Sequence, residues 1–164
     1  MNTAQLFITQ DMEFSKDKIR PIDNNEIKLN KPVGGLWTST FLQTDYSWWY
    51  QYCTDIGSPY WQNTQHYGHV IHPREDARLL CVTKKEMERL LEHYSISDVL
   101  LDYEKLAKDY DGIYYSPQII KYDMTYQESL SFMINDNPFF YWECESILWL
   151  NPAFDVKQSI KIAK

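Results

Sequence analysis

Glu143 and Glu145 stand one residue apart in Trp142-Glu143-Cys144-Glu145-Ser146-Ile147-Leu148-Trp149-Leu150-Asn151-Pro152, at the mouth of an apolar run ended by Asn-Pro. Strand side chains alternate with period two, so within a strand both carboxylates face one way and are offered to one cleft. Like charges on one strand face repel, and a positive or hydroxyl-bearing group between them relieves the repulsion. A glutamate beside a cleft can stabilise an oxocarbenium-like sugar transition state or accept a hydrogen bond from a ribose hydroxyl. The competing reading is a solvated edge-strand face with no chemistry. Cys144 is a poor nucleophile in this setting, because flanking carboxylates raise a thiol's pKa.

Other constellations carry less. His66, His69 and His72 recur at every third position, but Gly68 and Pro73 argue against one helix presenting them together. No acidic or cysteine partner sits at familiar metal-site spacing, so a histidine-rich surface loop is expected and no metal. Gly34-Gly35 lacks the pattern of a phosphate-binding loop, and there is no G-x-S-x-G elbow.

The elements that must position the glutamates follow from periodicity and turn residues. Leu6-Phe7-Ile8-Thr9 reads as a first strand, and residues 13–32 as a connecting loop ending at Pro32. Leu36 to Phe41 reads as a strand opened by two glycines that permit a close approach of backbone or ligand. A short helix is expected over Asp45–Cys53, capped by Asp45 or Thr44, and then a loop from Gly57 to Pro73. After a strand at 77–82, Thr83-Lys84-Lys85-Glu86 is a capping box, and Met87, Leu90, Leu91 and Tyr94 form one helical face. A second helix starts near Asp102, with Tyr103, Leu106, Ala107 and Tyr110 on one face, and stops at Asp111-Gly112. Strands at 113–115, 145–150 and 156–162 and a short helix at 124–134 complete a single α+β domain over residues 1–164.

Bulk properties restrict the partners. With 164 residues and 44% hydrophobic content the chain can build a proper core, and a net charge of −7 disfavours a nucleic-acid surface as main partner. No apolar run approaches the roughly 20 residues of a membrane span. The N-terminus lacks signal-peptide blocks, and Cys53, Cys81 and Cys144 suit reduced core thiols, so a cytoplasmic location is expected. Aromatic residues make up 16% of the chain. They fill a core or wall a pocket that stacks a flat ring.

In three places, lying in order, the chain resembles the ADP-ribosyltransferase fold, particularly small bacterial and phage-type members. Leu36-Trp37-Thr38-Ser39-Thr40-Phe41, with Trp48-Trp49-Tyr50 after it, looks like that family's Ser-Thr-Ser-type strand and aromatic helix. Lys108-Asp109-Tyr110-Asp111-Gly112-Ile113-Tyr114 is similar to its late turn and strand. Glu145 to Pro152 resembles the strand bearing the catalytic glutamate, and Glu143-Cys144-Glu145 has the Glu-x-Glu form of arginine-modifying members. The resemblance implies two small antiparallel sheets forming a cleft, with peripheral helices, and NAD as substrate. It implies that Trp37, Thr38, Ser39, Thr40, Trp48 and Tyr50 contact the cofactor, that Glu145 and Glu143 are catalytic, and that a protein acts as acceptor. The family also places Arg or His in its first strand; here Ile8 stands there, leaving Thr9, Arg20 or a histidine of 66–72 as substitutes. Three readings stay open: an enzyme acting on NAD, a domain of the same fold that binds a nucleotide or protein without turnover, and an unrelated acidic interaction or inhibitor protein.

Overall fold

In a computed structural model, residues 3–59, 64–118 and 137–162 are described; the expected helix at 124–134 lies outside them. The class is α+β: a mixed eight-stranded sheet, two small two-stranded sheets and three α-helices among the described residues.

The first half of the chain holds β1 (Gln5–Thr9), the hairpin β2 (Asp23–Lys28) and β3 (Lys31–Val33), then β4 (Leu36–Leu42), β5 (Tyr46–Ser47), helix α1 (Trp48–Asp55) and β6 (Tyr67–Pro73). The second half holds β7 (Leu79–Cys81), α2 (Lys84–Tyr94), β8 (Ser95–Ser97), β9 (Leu100–Leu101), α3 (Tyr103–Asp109), β10 (Gly112–Tyr115), β11 (Ser146–Trp149) and β12 (Phe154–Lys161). The main sheet runs β12-β6-β1-β4-β11-β10-β7, and β5 pairs with the end of β4. It is one hydrogen-bonded path, whereas two antiparallel sheets were expected, and β7 and β10 pair in parallel across the α2–α3 crossover.

The sheet nevertheless divides in the middle. β1 pairs with β4 only at Gln5–Thr40 and Leu6–Ser39, while Leu36–Thr38 pair with Trp149–Ile147 of β11. Beyond Leu6, β1 follows β6 and parts from the first half of β4. The two larger hydrophobic clusters divide by face, and the first of them bridges the two halves of the sheet. Ile147 and Trp149 of β11 pack with Leu36, Ile71 and Phe154 on one face; Leu148 and Leu150 join the helix-side core of Met87, Leu90, Tyr103 and Leu106 on the other. A strand covered on both faces reads as a continuous apolar run, which is the pattern after Glu145.

Local chemistry sets the helix starts. The Ser47 hydroxyl accepts the Tyr50 amide and caps α1, in place of the expected Asp45 or Thr44, because Tyr46–Ser47 first fold back on Phe41–Leu42 as β5. At the other end Gly57, at φ 62°, closes a Schellman motif, with Ser58 N–H donating to the Cys53 carbonyl. Thr83 caps α2 as expected, but Glu86 binds Arg89 at 2.8 Å. Asp102 caps α3 by accepting the Lys105 amide. Asp111 and Asn151, prominent in the sequence, serve this framework. Asn151 donates to the Ala107 and Tyr110 carbonyls at the end of α3, and Asp111 takes the Arg78 guanidinium and amide. Burial alone would raise the Asp111 carboxyl, but the Arg78 hydrogen bonds and charge hold it below its ordinary value.

Two segments expected as loops contain strands. Within 13–32 lies the β2–β3 hairpin, turned by Leu29-Asn30 with both φ positive (52° and 56°), the geometry of a type I′ turn. A leucine in that region costs on the order of 1 kcal/mol. Within Gly57–Pro73 lies β6, between β1 and β12 in the sheet. His69 on β6 is fully buried, its ring nitrogens bonded to the Ser159 hydroxyl and the Asp11 carbonyl. Strand residues three apart point to opposite faces, so His69 and His72 diverge. Among the described residues no His, Cys, Asp and Glu group is arranged to hold a metal ion. Cys53, Cys81 and Cys144 form no disulfide among the described residues, with Cys53 buried but Cys81 exposed, where a core position was expected. No helix of the described residues is long and apolar enough to cross a membrane.

Burial pushes the His69 imidazole below its ordinary 6.5. The unfolded chain therefore takes up this proton first as pH falls, and the stability contributed by neutral His69 is complete above 6.5 and lost below it. Urea unfolding at pH 7.5 and 5.5 should show a larger acid loss in the native protein than in His69→Gln. Equal losses would remove His69 from the acid response.

Candidate active site

Hydrogen-bond donors of the middle strands converge on Glu145. Its Oε2 accepts the Ser39 hydroxyl and the Thr40 amide, both at 2.9 Å, and its Oε1 accepts the Thr40 hydroxyl at 2.8 Å. Behind these bonds the network continues. The Trp149 indole donates to Thr38 Oγ1, Thr38 to Gln5 Oε1, and Gln5 Nε2 to Thr40 Oγ1. On the other side the Trp49 amide in the first turn of α1 donates to Ser39 Oγ. Gln5, Thr38, Ser39 and Glu145 are all buried, Glu145 at 5% exposure. Buried polar groups on this scale persist only when satisfied, and here each donor has an acceptor, with the carboxylate as terminus.

Two opposed effects act on that carboxylate. Burial raises its pKa; the Thr40 amide and hydroxyl and the Ser39 hydroxyl lower it; the balance lies above the ordinary glutamate value. A carboxylate so held keeps a strong tendency to accept a further hydrogen bond or a positive charge.

Where β1 and β4 part, a cavity of about 360 Å³ opens, lined by Leu6, Ile8, Trp37, Trp49 and Trp142, with Thr38, Ser39, Cys144 and Ser146 as its polar wall and Lys31 and Glu143 at the charged end. Trp37 and Trp142 meet edge-to-face at 4.4 Å, and Trp142 continues through Phe139 into the core. Trp49 stacks on Tyr52, whose phenol is raised by burial and then by the Glu143 charge. A second cavity of about 260 Å³, lined by Thr9, Asp11, Phe14 and Lys18 among others, shares Phe7 and Trp37 with the first.

The two glutamates do not share a strand face. β11 begins at Ser146, so both precede it and are free of its alternation. Glu145 turns inward, while Glu143 lies at the cavity with its carboxylate 2.8 Å from the Lys31 ammonium. Neither arrangement is a flat acidic face. Glu145 is not itself among the lining residues; its carboxylate lies one hydrogen bond behind Ser39. Cys144, between them, has a thiol pushed up to about 11, chiefly by burial and less by the carboxylates, and stays protonated at neutral pH.

Of the residues expected to contact a cofactor, Trp37, Thr38 and Ser39 line the cavity. Thr40 instead holds Glu145. Trp48 is 45% exposed and Tyr50 packs on Tyr46, so neither lines it; Trp49, the residue between them, does. The β5 turn and the Ser47 cap set that helical phase, which an aromatic run does not reveal. Lys31 was missed altogether, because its segment reads as a loop and its partner lies 112 residues away. Comparison with family models, with curated proteins and with solved structures finds no match to this chain.

Proposed function

We propose that this protein binds NAD in the tryptophan-lined cavity and transfers or hydrolyses its ADP-ribosyl group. The observation that carries this reading is the buried Glu145 carboxylate, braced by Ser39 and Thr40 beside a cavity with flat aromatic walls. Serine rotates about one torsion, so Ser39 can yield its place at Oε2 to a ribose hydroxyl. The carboxylate then stabilises positive charge as the bond from C1′ to the nicotinamide nitrogen breaks and neutral nicotinamide leaves with the electron pair. Water or a protein acceptor adds to C1′, and Glu143 at the open end accepts the proton it sheds.

Incubation with NAD should release free nicotinamide, and label from ADP-ribosyl-labelled NAD should enter protein when cell extract is supplied. A second reading is favoured by one observation, the absence of Glu145 from the cavity lining: a domain that binds NAD without splitting it. It expects quenching of tryptophan fluorescence by NAD and no nicotinamide. No quench and no release at millimolar NAD would remove both.

A further inference from the structure

We propose that Lys31 is the anion-holding residue of this cavity, so that its ligand is a flat ring carrying a phosphate. The inference rests on reading the cavity as a nucleotide site. Among the described residues Lys31 is the one cationic side chain in its lining. Its ammonium stands 5.9 Å from the Trp37 ring centroid and 2.8 Å from Glu143, so charge and aromatic wall are adjacent. A ligand whose ring lies among Trp37, Trp49 and Trp142 would therefore bring a nearby anionic substituent to Lys31.

The existing ion pair does not lock the lysine. Both partners keep about a third or more of their side chains in solvent, at 32% and 41% exposure, and such pairs contribute little to stability. A phosphate offers several acceptor oxygens and greater charge, and takes the ammonium from Glu143 at small cost. The backbone beneath is firmly placed, in contrast. The fully buried Tyr103 donates its hydroxyl to the Asn30 carbonyl at 2.6 Å, one residue before Lys31. Asn24 on the same hairpin bonds Asp102 and accepts the Tyr103 amide at the start of α3. The strained Leu29-Asn30 turn is held in this way, with a partly exposed charged tip on a fixed base.

The test uses two pairs of probes that differ in phosphate: nicotinamide against nicotinamide mononucleotide, and adenosine against adenosine monophosphate, titrated by tryptophan fluorescence. Lys31→Met keeps the stem over Trp37 and removes the charge. It should weaken the phosphate-bearing member of whichever pair binds by about tenfold and leave the unphosphorylated member unchanged. Glu143→Gln frees the lysine and should tighten the same member. Tyr103→Phe, which loosens the base and keeps the charge, should give a smaller loss confined to that member. Independently of any variant, raising salt from 50 to 500 mM should weaken the phosphorylated probes and spare the others. Equal effects on both members of a pair, or no effect of Lys31→Met on phosphate-bearing probes, would overturn the assignment. NAD turnover unaffected by Lys31→Met keeps the transferase reading and removes this one. Lys31-dependent adenosine monophosphate binding without turnover does the reverse, and a wild-type protein that binds no phosphorylated probe removes both.

Discussion

On the proposed reaction, Glu145→Gln is expected to lower NAD turnover by about a thousandfold while leaving the protein at least as stable at neutral pH. The rate loss follows from charge. A buried carboxylate opposite a developing oxocarbenium ion is a preorganised electrostatic group, and removing one such group costs about 10²–10³ in rate or more. The amide keeps the shape: its oxygen can accept the Ser39 hydroxyl and Thr40 amide, and the Thr40 hydroxyl can rotate to accept from the new NH2. Nicotinamide release by the variant within tenfold of the native rate would take Glu145 out of the mechanism.

The stability half of this expectation comes from the same burial. The folded-state pKa of Glu145 is raised above its ordinary 4.5, so the folded protein holds this proton more tightly than the unfolded chain. The contribution of the neutral form is present below 4.5 and is lost as pH rises through the raised value. At neutral pH the native protein therefore carries a buried charge that the amide lacks. Thermal unfolding of both proteins at pH 4 and pH 7 should show the difference moving in favour of Glu145→Gln at the higher pH. Activity moves the other way, because only the ionised form stabilises positive charge, and the acid limb of the rate profile should lie above the ordinary glutamate value.

Much of the frame was legible because its signals are local. Thr83 and Asp102 cap their helices, Met87, Leu90 and Tyr94 repeat at helical spacing, and Asp111-Gly112 turns α3 into β10. The apolar run after Glu145 marked β11, and the carboxylate's neighbours marked it as unusual. Depth was not legible. Whether Glu143 or Glu145 is buried depends on where β11 begins, and the strand starts one residue after Glu145, so period two never applied to the pair. β6 was hidden because His69 is an acceptable core residue only when Ser159 and the Asp11 carbonyl, both far along the chain, satisfy its ring. The β2–β3 hairpin was hidden because its turn uses Leu29-Asn30 where a type I′ turn ordinarily advertises itself with Asn-Gly. For β6 the missing information is a set of partners distant in sequence, and for the hairpin it is a turn whose residues do not announce it.

Gly35→Ala is expected to destabilise the fold by about 3 kcal/mol, the sum of a left-handed backbone and an overpacked contact. Gly35 has φ 66°, and an added Cβ would stand 2.5 Å from the Trp149 carbonyl oxygen and 2.9 Å from side-chain atoms of Ile22 and Leu148. The carbonyl cannot retreat cheaply. Trp149 is paired with Leu36 in the β4–β11 ladder, and its indole is bonded to Thr38 within the polar network that ends at Glu145. Gly57 provides the control, since its φ is 62° but a Cβ there meets nothing within 4 Å. Gly57→Ala should cost about 1 kcal/mol, the backbone term alone. For a domain of this size the two variants should melt about 10 °C and about 3 °C below the native protein. Equal shifts would mean that β4 and β11 yield at Gly35, and that the close approach there does not fix the register of the site. Unequal shifts tie the glycine preceding β4 to the placement of Thr38, Ser39 and Thr40, and through them to the carboxylate.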